Sequence, residues 1–276
     1  MRVLGIDFTS RPTRRKRITC MNCILEGDLL RAICLEEWSD FAQFEEALKK
    51  PGPWIAGIDF PFGQSRTFIK NIGWPDHWAG YVKHAQALGR EEFRNALETY
   101  RILRQKGDKE HRRTTDIAAA SISPQKLHGI PVGLMFFEGA PRLLRSGVTI
   151  PLLLSGDPSR IVVEAYPGVL ARHLIGRTGY KSDAVKNQTP EQRRKRDSML
   201  DAILNGKLES IYHLGVEAPK ELANDPTGDQ LDALLCAIQA AWAWTMRDYD
   251  YGAPRGTDVL EGWIADASLR NNSEQR

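Results

Sequence analysis

Residues 2–8 begin with apolar Val3, Leu4 and Ile6 and reach Asp7, the pattern of a strand that starts at once. Residues 17–25 and 29–35 carry β-branched and apolar side chains on either side of Glu26-Gly27-Asp28. That tight link predicts a hairpin, with Gly27 free to take positive φ. Ser39 is placed to cap a helix in which Phe41, Phe44 and Leu48 recur at helical spacing until Pro51-Gly52 ends it. Residues 54–60 form a short apolar run interrupted only by Asp59, which predicts a buried central strand. A strand, helix and strand in this order predict a parallel pair.

Beyond residue 63 the texture changes. Phe68, Trp74, Trp78, Tyr81, Phe93 and Tyr100 lie among Arg66, Lys70, Lys83, Arg94, Arg101 and Arg104. Residues 91–105 have helical character, and the block from about 64 to 150 reads as a mainly helical insertion between core strands. Its aromatics suit either base stacking or packing onto the parent domain, with packing the more frequent outcome. A strand resumes over residues 160–164 and ends at Glu164. Pro167 suits the first turn of a following helix, and Thr189-Pro190-Glu191-Gln192 opens another with a capping threonine. The longest apolar helix is expected over residues 227–246. One domain over residues 1–267 and a polar, fraying tail over 268–276 complete the expected organisation. The order of elements resembles the opening of a ribonuclease H-like fold: an α/β mixed sheet flanked by helices, with the helical insertion. It equally resembles the opening of each half of an actin-like ATPase.

Composition narrows the setting. An apolar fraction of 42% and a charged fraction of 26% suit a folded chain with its own core. No apolar run approaches the ~20 residues needed to cross a bilayer, and Asp7 interrupts the N-terminal run too early for a signal-peptide core. Cys20 and Cys23 form a lone C-x-x-C, without a second pair or a suitably spaced histidine to close a zinc site. Reduced thiols and a cytoplasmic location are the expectation. The net charge of +3 is small, yet Arg11, Arg14, Arg15, Lys16 and Arg17 are clustered, as are Arg193, Arg194, Lys195 and Arg196. Such clusters track a phosphate backbone or form solvated faces.

The acids carry the chemical argument. Gly5-Ile6-Asp7-Phe8 and Gly57-Ile58-Asp59-Phe60 each place an aspartate at a strand end, where ligands gather in open α/β sheets. Glu164 ends a third strand. Asp229 and Asp232, three residues apart, share one face at the start of a helix that is otherwise apolar. Carboxylates beside a packed face are costly without cations or strong donors, and an all-oxygen set suits Mg2+ or Mn2+ better than zinc. Simpler roles exist for four of the five: turn capping for Asp7 and Asp59, a helix N-terminal acid for Asp229, and pairing with a buried arginine for Glu164; Asp232, deeper along the apolar helix, is harder to dismiss.

Gly5-Ile6-Asp7, Gly57-Ile58-Asp59-Phe60-Pro61, Glu164-Ala165-Tyr166-Pro167, Asp229-Gln230-Leu231-Asp232-Ala233-Leu234-Leu235-Cys236-Ala237 and Glu261-Gly262-Trp263-Ile264, in that order, resemble the domain-of-unknown-function 429 family. Arg113-Thr114-Thr115-Asp116 also resembles a family position. The family is regarded as predicted nucleases of ribonuclease H-like fold, and the paired helix aspartates are also similar to those of Holliday-junction resolvases. The resemblance implies a metal-dependent nuclease that hydrolyses phosphodiester bonds in DNA or RNA. Asp7, Asp59 and Asp232 would then be the metal ligands, and Asp229 and Glu164 further ligands or water-orienting groups. Arg11, Arg14, Arg15, Lys16, Arg17 and Arg113 would contact nucleic acid. Two alternatives stand beside this: an actin-like ATPase or phosphotransferase, and a nucleic-acid-binding protein without turnover. No membrane partner is expected.

Overall fold

Largely apolar strands, buried on both faces between two helical layers, produce the sheet on which everything else is mounted. The structure is a computed structural model and describes residues 1–271. Its strands are β1 (Arg2–Asp7), β2 (Ile18–Glu26), β3 (Leu29–Trp38), β4 (Trp54–Ile58), β5 (Val148–Thr149), β6 (Asp157–Glu164) and β7 (Gly215–Glu217). They form one seven-stranded mixed sheet in the order β5-β6-β4-β1-β2-β3-β7. β2 runs antiparallel to β1 and β3, and the remaining pairings are parallel. β4 lies parallel between β1 and β6 and not beside β3, because the connection after β3 carries the chain past the first strand. This brings the ends that carry Asp7 and Asp59 together.

The helices are α1 (Phe41–Lys49), α2 (Arg66–Ile72), α3 (Trp78–Ile102), α4 (Thr114–Ala118), α5 (Val132–Ser146), α6 (Pro167–Ile175), α7 (Pro190–Leu204), α8 (Glu209–Tyr212), α9 (Asp229–Thr245) and α10 (Ala267–Asn271). The block between β4 and β6 is mainly helical, as expected, but its main helix begins at Trp78, earlier than residue 91, and kinks at Gly89 with φ +75°. Its aromatics are committed to packing: Phe68, Trp74, Trp78, Tyr81, Phe93 and Tyr100 are all buried in one core with α1, α5 and a face of the sheet. The opposite face carries a second core built from α6, α7, α8 and α9.

α9 is the hub. Every residue from Leu231 to Ala243 is buried, so its apolar surface runs all the way round, as in helices enclosed by a core. Two helix starts follow from short-range chemistry. Thr189 and Gln192 exchange reciprocal hydrogen bonds of 3.1 and 3.2 Å at the start of α7. For α1 the cap is Asp40, whose carboxylate accepts from the Gln43 amide at 3.0 Å; Ser39 instead donates its backbone N–H to the Gln43 side chain. The expected polar tail starts later than residue 268, because α10 buries Leu269; its remainder, 272–276, lies outside the described residues. No described helix is long and apolar enough to cross a membrane. Cys20, Cys23 and Cys236 are buried and Cys34 is exposed, all as free thiols.

Candidate functional site

Side-chain alternation decides which acids meet. In β1, Val3 joins the α9-side core, whereas Ile6 and the following Phe8 join the opposite one. In β4, Ile55 takes the α9 side while Ala56, Ile58 and the following Phe60 take the other. The period of two therefore turns Gly5, Asp7, Gly57 and Asp59 toward α9. Gly5 is opposite Gly57, and the Asp59 amide donates to the Ile6 carbonyl at 2.9 Å, so the two aspartates leave the sheet side by side. A Cβ at Gly5 would stand 1.9 Å from the Ala233 carbonyl oxygen, and one at Gly57 2.4 Å from that of Cys236. Only glycine lets the helix settle directly onto the strand backbones. α9 begins after Gly228, and its first turn brings Asp229 and Asp232 to the same place.

The four aspartates act on one another electrostatically. Burial raises the pKa of Asp7 well above the usual carboxylate range; Lys181 opposes this, while Asp232, Asp229 and Asp59 add to it. Asp59 is pushed up to about 7 by burial and by Asp232, against Lys181, with a further contribution from Glu164. Burial also raises Asp229, although Lys16 pulls it down. Asp7 is only 8% exposed. Among the described residues, neither its carboxylate nor that of Asp59 accepts a hydrogen bond or closes an ion pair. They are two crowded carboxylates without donors.

Asp229 and Asp232 are in the opposite condition. Lys16 Nζ donates to both oxygens of Asp229, at 2.8 and 3.0 Å, and to Asp183 Oδ1 at 3.0 Å. Lys181 Nζ donates to Asp232 Oδ2 and the Tyr180 hydroxyl to Oδ1. Burial lowers the pKa of Lys181, but Asp232, Tyr180 and Asp7 more than reverse this and hold it well above its ordinary value. Tyr180 is raised well above its own by burial and by Asp232. Tyr180 and Lys181 lie between α6 and α7, in a segment without periodicity or motif, and sequence reasoning missed both. No three described His, Cys, Asp or Glu side chains form a ready coordination shell; lysines and a tyrosine hold the helix acids instead.

Glu164 meets only Asp59 of the four, from the other side of the sheet: the two border one pocket with Arg113 and Asp116, and Glu164 adds to the rise of the Asp59 pKa. Val162 and Glu164 face the opposite side of the sheet from Ile161 and Val163. There Glu164 is closed off by Arg113, with Nη2 to Oε1 at 2.6 Å and Nη1 to Oε2 at 2.7 Å, and by the Phe62 amide at 2.8 Å. Arg113 also donates to both oxygens of Asp116, at 2.9 and 3.0 Å, and is 1% exposed. The expectation that Arg113 contacts nucleic acid is therefore corrected, because its guanidinium is buried and spent on two carboxylates. Glu164, expected as a ligand or water-orienting group, has both oxygens engaged by Arg113 and one also by the Phe62 amide. Burial still raises the Glu164 pKa, against the pull of Arg113. Glu261 holds the block from outside this pair, accepting the Arg66 amide at 2.8 Å and the Thr114 amide at 3.0 Å.

The basic cluster after β1 divides. Arg11, Arg14 and Arg15 are exposed. Lys16 is drawn inward, and Arg17 pairs with Glu37. A cleft of about 470 Å3 opens beside this loop, bounded in part by Arg11, Phe41 and Arg90. Arg193, Arg194 and Lys195 pair with Asp197 or Glu191 along α7, the solvated-face outcome, while Arg196 is buried and donates to the Ala223 and Tyr180 carbonyls.

No curated protein and no solved structure matches the chain. The profile of the family described as protein of unknown function (DUF429) matches residues 5–250, a span that holds Asp7, Asp59, Asp229, Asp232, Lys16, Lys181 and Arg113. The chain belongs to the DUF429 family.

Proposed function

We propose that the protein is a divalent-metal-dependent nuclease of ribonuclease H-like architecture, which hydrolyses phosphodiester bonds in nucleic acid at the four-aspartate cluster. The order β3-β2-β1-β4-β6, an antiparallel meander continued by two parallel strands, supports the architectural part. The observation that carries the chemical part is the pair Asp7 and Asp59: crowded, raised in pKa and without a donor among the described residues. Fully ionised, the four carboxylates against the two ammonium groups of Lys16 and Lys181 leave two negative charges, which one divalent cation would balance.

The donor chemistry fits Mg2+ or Mn2+, which take carboxylate oxygens. Asp7, Asp59 and Asp232 would hold the ion, and Asp229 would hold it or orient water. When bound, such an ion supplies Lewis acidity and lowers the pKa of a bound water. The chain's own contribution is positional. β1 and β4 fix Asp7 and Asp59 on one side, and α9 fixes the other two against them. Arg11, Arg14 and Arg15, exposed on the loop that follows β1, provide positive charge for a phosphate backbone. The actin-like alternative loses support, because the described residues form one sheet and not two paired halves.

The test is cleavage of single- and double-stranded DNA and RNA with Mg2+ or Mn2+, by wild type and by the Asp7→Asn, Asp232→Asn double variant. Wild type is expected to cut at least one substrate only with metal, and the double variant none. Equal cutting by the double variant, or cutting in excess chelator, refutes the mechanism. Salt-dependent binding without turnover under every metal condition favours the non-catalytic reading.

A further inference from the structure

Asp229 and Asp232 have no free oxygen in the arrangement described: each carboxylate is covered by a lysine, and Asp232 by Tyr180 as well. Asp7 and Asp59, beside them, are uncovered. Lysine ammonium groups thus hold only the half of the cluster contributed by α9. We propose that Lys16 and Lys181 are tethered counter-cations that neutralise the α9 half of the cluster when no metal is bound and compete with the divalent ion for Asp229 and Asp232. The inference rests on the metal reading above, and it adds a built-in competitor to that site.

The way the two lysines are mounted supports exchange. Both approach from loops, not from the sheet or α9: Lys16 from the connection between β1 and β2, and Lys181 from that between α6 and α7. The backbone beneath Lys181 is pinned. The Tyr180 carbonyl accepts from buried Arg196 at 2.8 Å, and the Lys181 carbonyl accepts from Gln192 at 3.2 Å. The Ser182 amide donates to the Pro226 carbonyl at 3.2 Å, which ties the segment to the approach to α9. Pinning keeps the ammonium in permanent reach of Asp232. The side chain itself remains 39% exposed, against 2% for that of Asp232, and has a four-carbon stem on which to swing into solvent. Lys16 is 35% exposed and already divides its donors between Asp229 and Asp183, so it has a second acceptor to fall back on.

A metal ion and an ammonium nitrogen cannot take the same carboxylate lone pair, and their charges repel. Metal therefore binds most tightly to the molecules in which the lysines have moved away, and its apparent affinity falls as that fraction falls.

The experiment is titration of purified full-length protein with Mn2+ by calorimetry, for wild type, Lys181→Met, Lys181→Arg, Lys16→Gln and the control Lys186→Met, an exposed lysine of the same segment. Lys181→Met is expected to bind Mn2+ about tenfold or more tightly than wild type, and Lys16→Gln severalfold more tightly. Lys181→Arg and Lys186→Met are expected to bind no more tightly than wild type. In chelator, Lys181→Met should melt below wild type, and Mn2+ should raise its melting temperature by more. Equal or weaker binding by both Lys181→Met and Lys16→Gln, with wild type still binding Mn2+, overturns the competition and leaves the metal site standing. Equal tightening in Lys186→Met also overturns it, because net charge alone would then be responsible. Absence of binding in every variant overturns the metal reading and the competition together. If Lys181→Met does not fold, Lys16→Gln decides the question.

Discussion

Asp59→Asn isolates the electrostatic cost of the cluster. Asp59 has a pKa of about 7 in the folded protein, where a free side chain has 3.8. As pH rises from 4, the unfolded chain gives up this proton first and the folded state retains it. Stability therefore falls between pH 4 and 7 and levels off once both forms are ionised. Each pH unit between the two pKa values is worth about 1.4 kcal/mol, so the ionised carboxylate costs the folded state up to about 4 kcal/mol at pH 8. Asp59 is partly exposed, and solvent screening brings the expected figure to roughly 2–4 kcal/mol. Asparagine keeps the shape and removes the charge. In chelator, Asp59→Asn should match wild type near pH 4, exceed its stability increasingly as pH rises, and reach its full advantage at pH 8. Urea unfolding at several pH values, followed through the seven tryptophans, reads this directly. With saturating Mn2+ at pH 8 the order should reverse, because wild type alone keeps the complete ligand set. An advantage independent of pH, or a variant less stable than wild type at pH 8 in chelator, would refute the assignment of a crowded, uncompensated carboxylate to this position.

Two further outcomes test the scaffold. Arg113→Met leaves Glu164 and Asp116 buried without their cation, and should cost about 3–5 kcal/mol in urea unfolding; a loss below about 1 kcal/mol would mean that the ion triad is not closed as described. Gly5→Ala drives a methyl group to 1.9 Å from a carbonyl oxygen of α9. Because the obstacle is backbone, the cost should reach or exceed the ~3 kcal/mol upper range of ordinary overpacking, with weaker Mn2+ binding as Asp229 and Asp232 shift. Unchanged stability would show that α9 does not rest on this strand.

The repeated Gly-Ile-Asp-Phe tetrapeptide was legible as a strand end carrying an acid, and the structure supplies the reason for its other letters. Glycine admits α9, isoleucine and phenylalanine enter the opposite core, and aspartate follows glycine onto the helix side. The same parity argument, applied to Ile161-Val162-Val163-Glu164, turns Glu164 away from α9, so that it reaches Asp59 only across the pocket they share. It depends on knowing which face of a fully apolar strand meets α9, and Ile, Val and Val do not distinguish the faces. Asp232 stood out because it lies inside an apolar helix. Lys181 gave no such signal, since a single lysine in a polar loop resembles any solvated lysine until the fold brings it to Asp232. Arg113 and Asp116 were singled out by resemblance alone, and whether such a pair faces solvent or itself is decided by tertiary packing. The short edge strands β5 and β7 carry too few residues for alternation to show.

The seam between α9 and the sheet has a mechanical consequence. Where helix and strand meet backbone to backbone at Gly5 and Gly57, no compressible side chain lies between them to act as a cushion. The like charges on either side of the seam cannot ease their repulsion by drifting apart, as they could on two loops. Relief must come from what is added to the gap: a proton, a tethered amine or a metal ion.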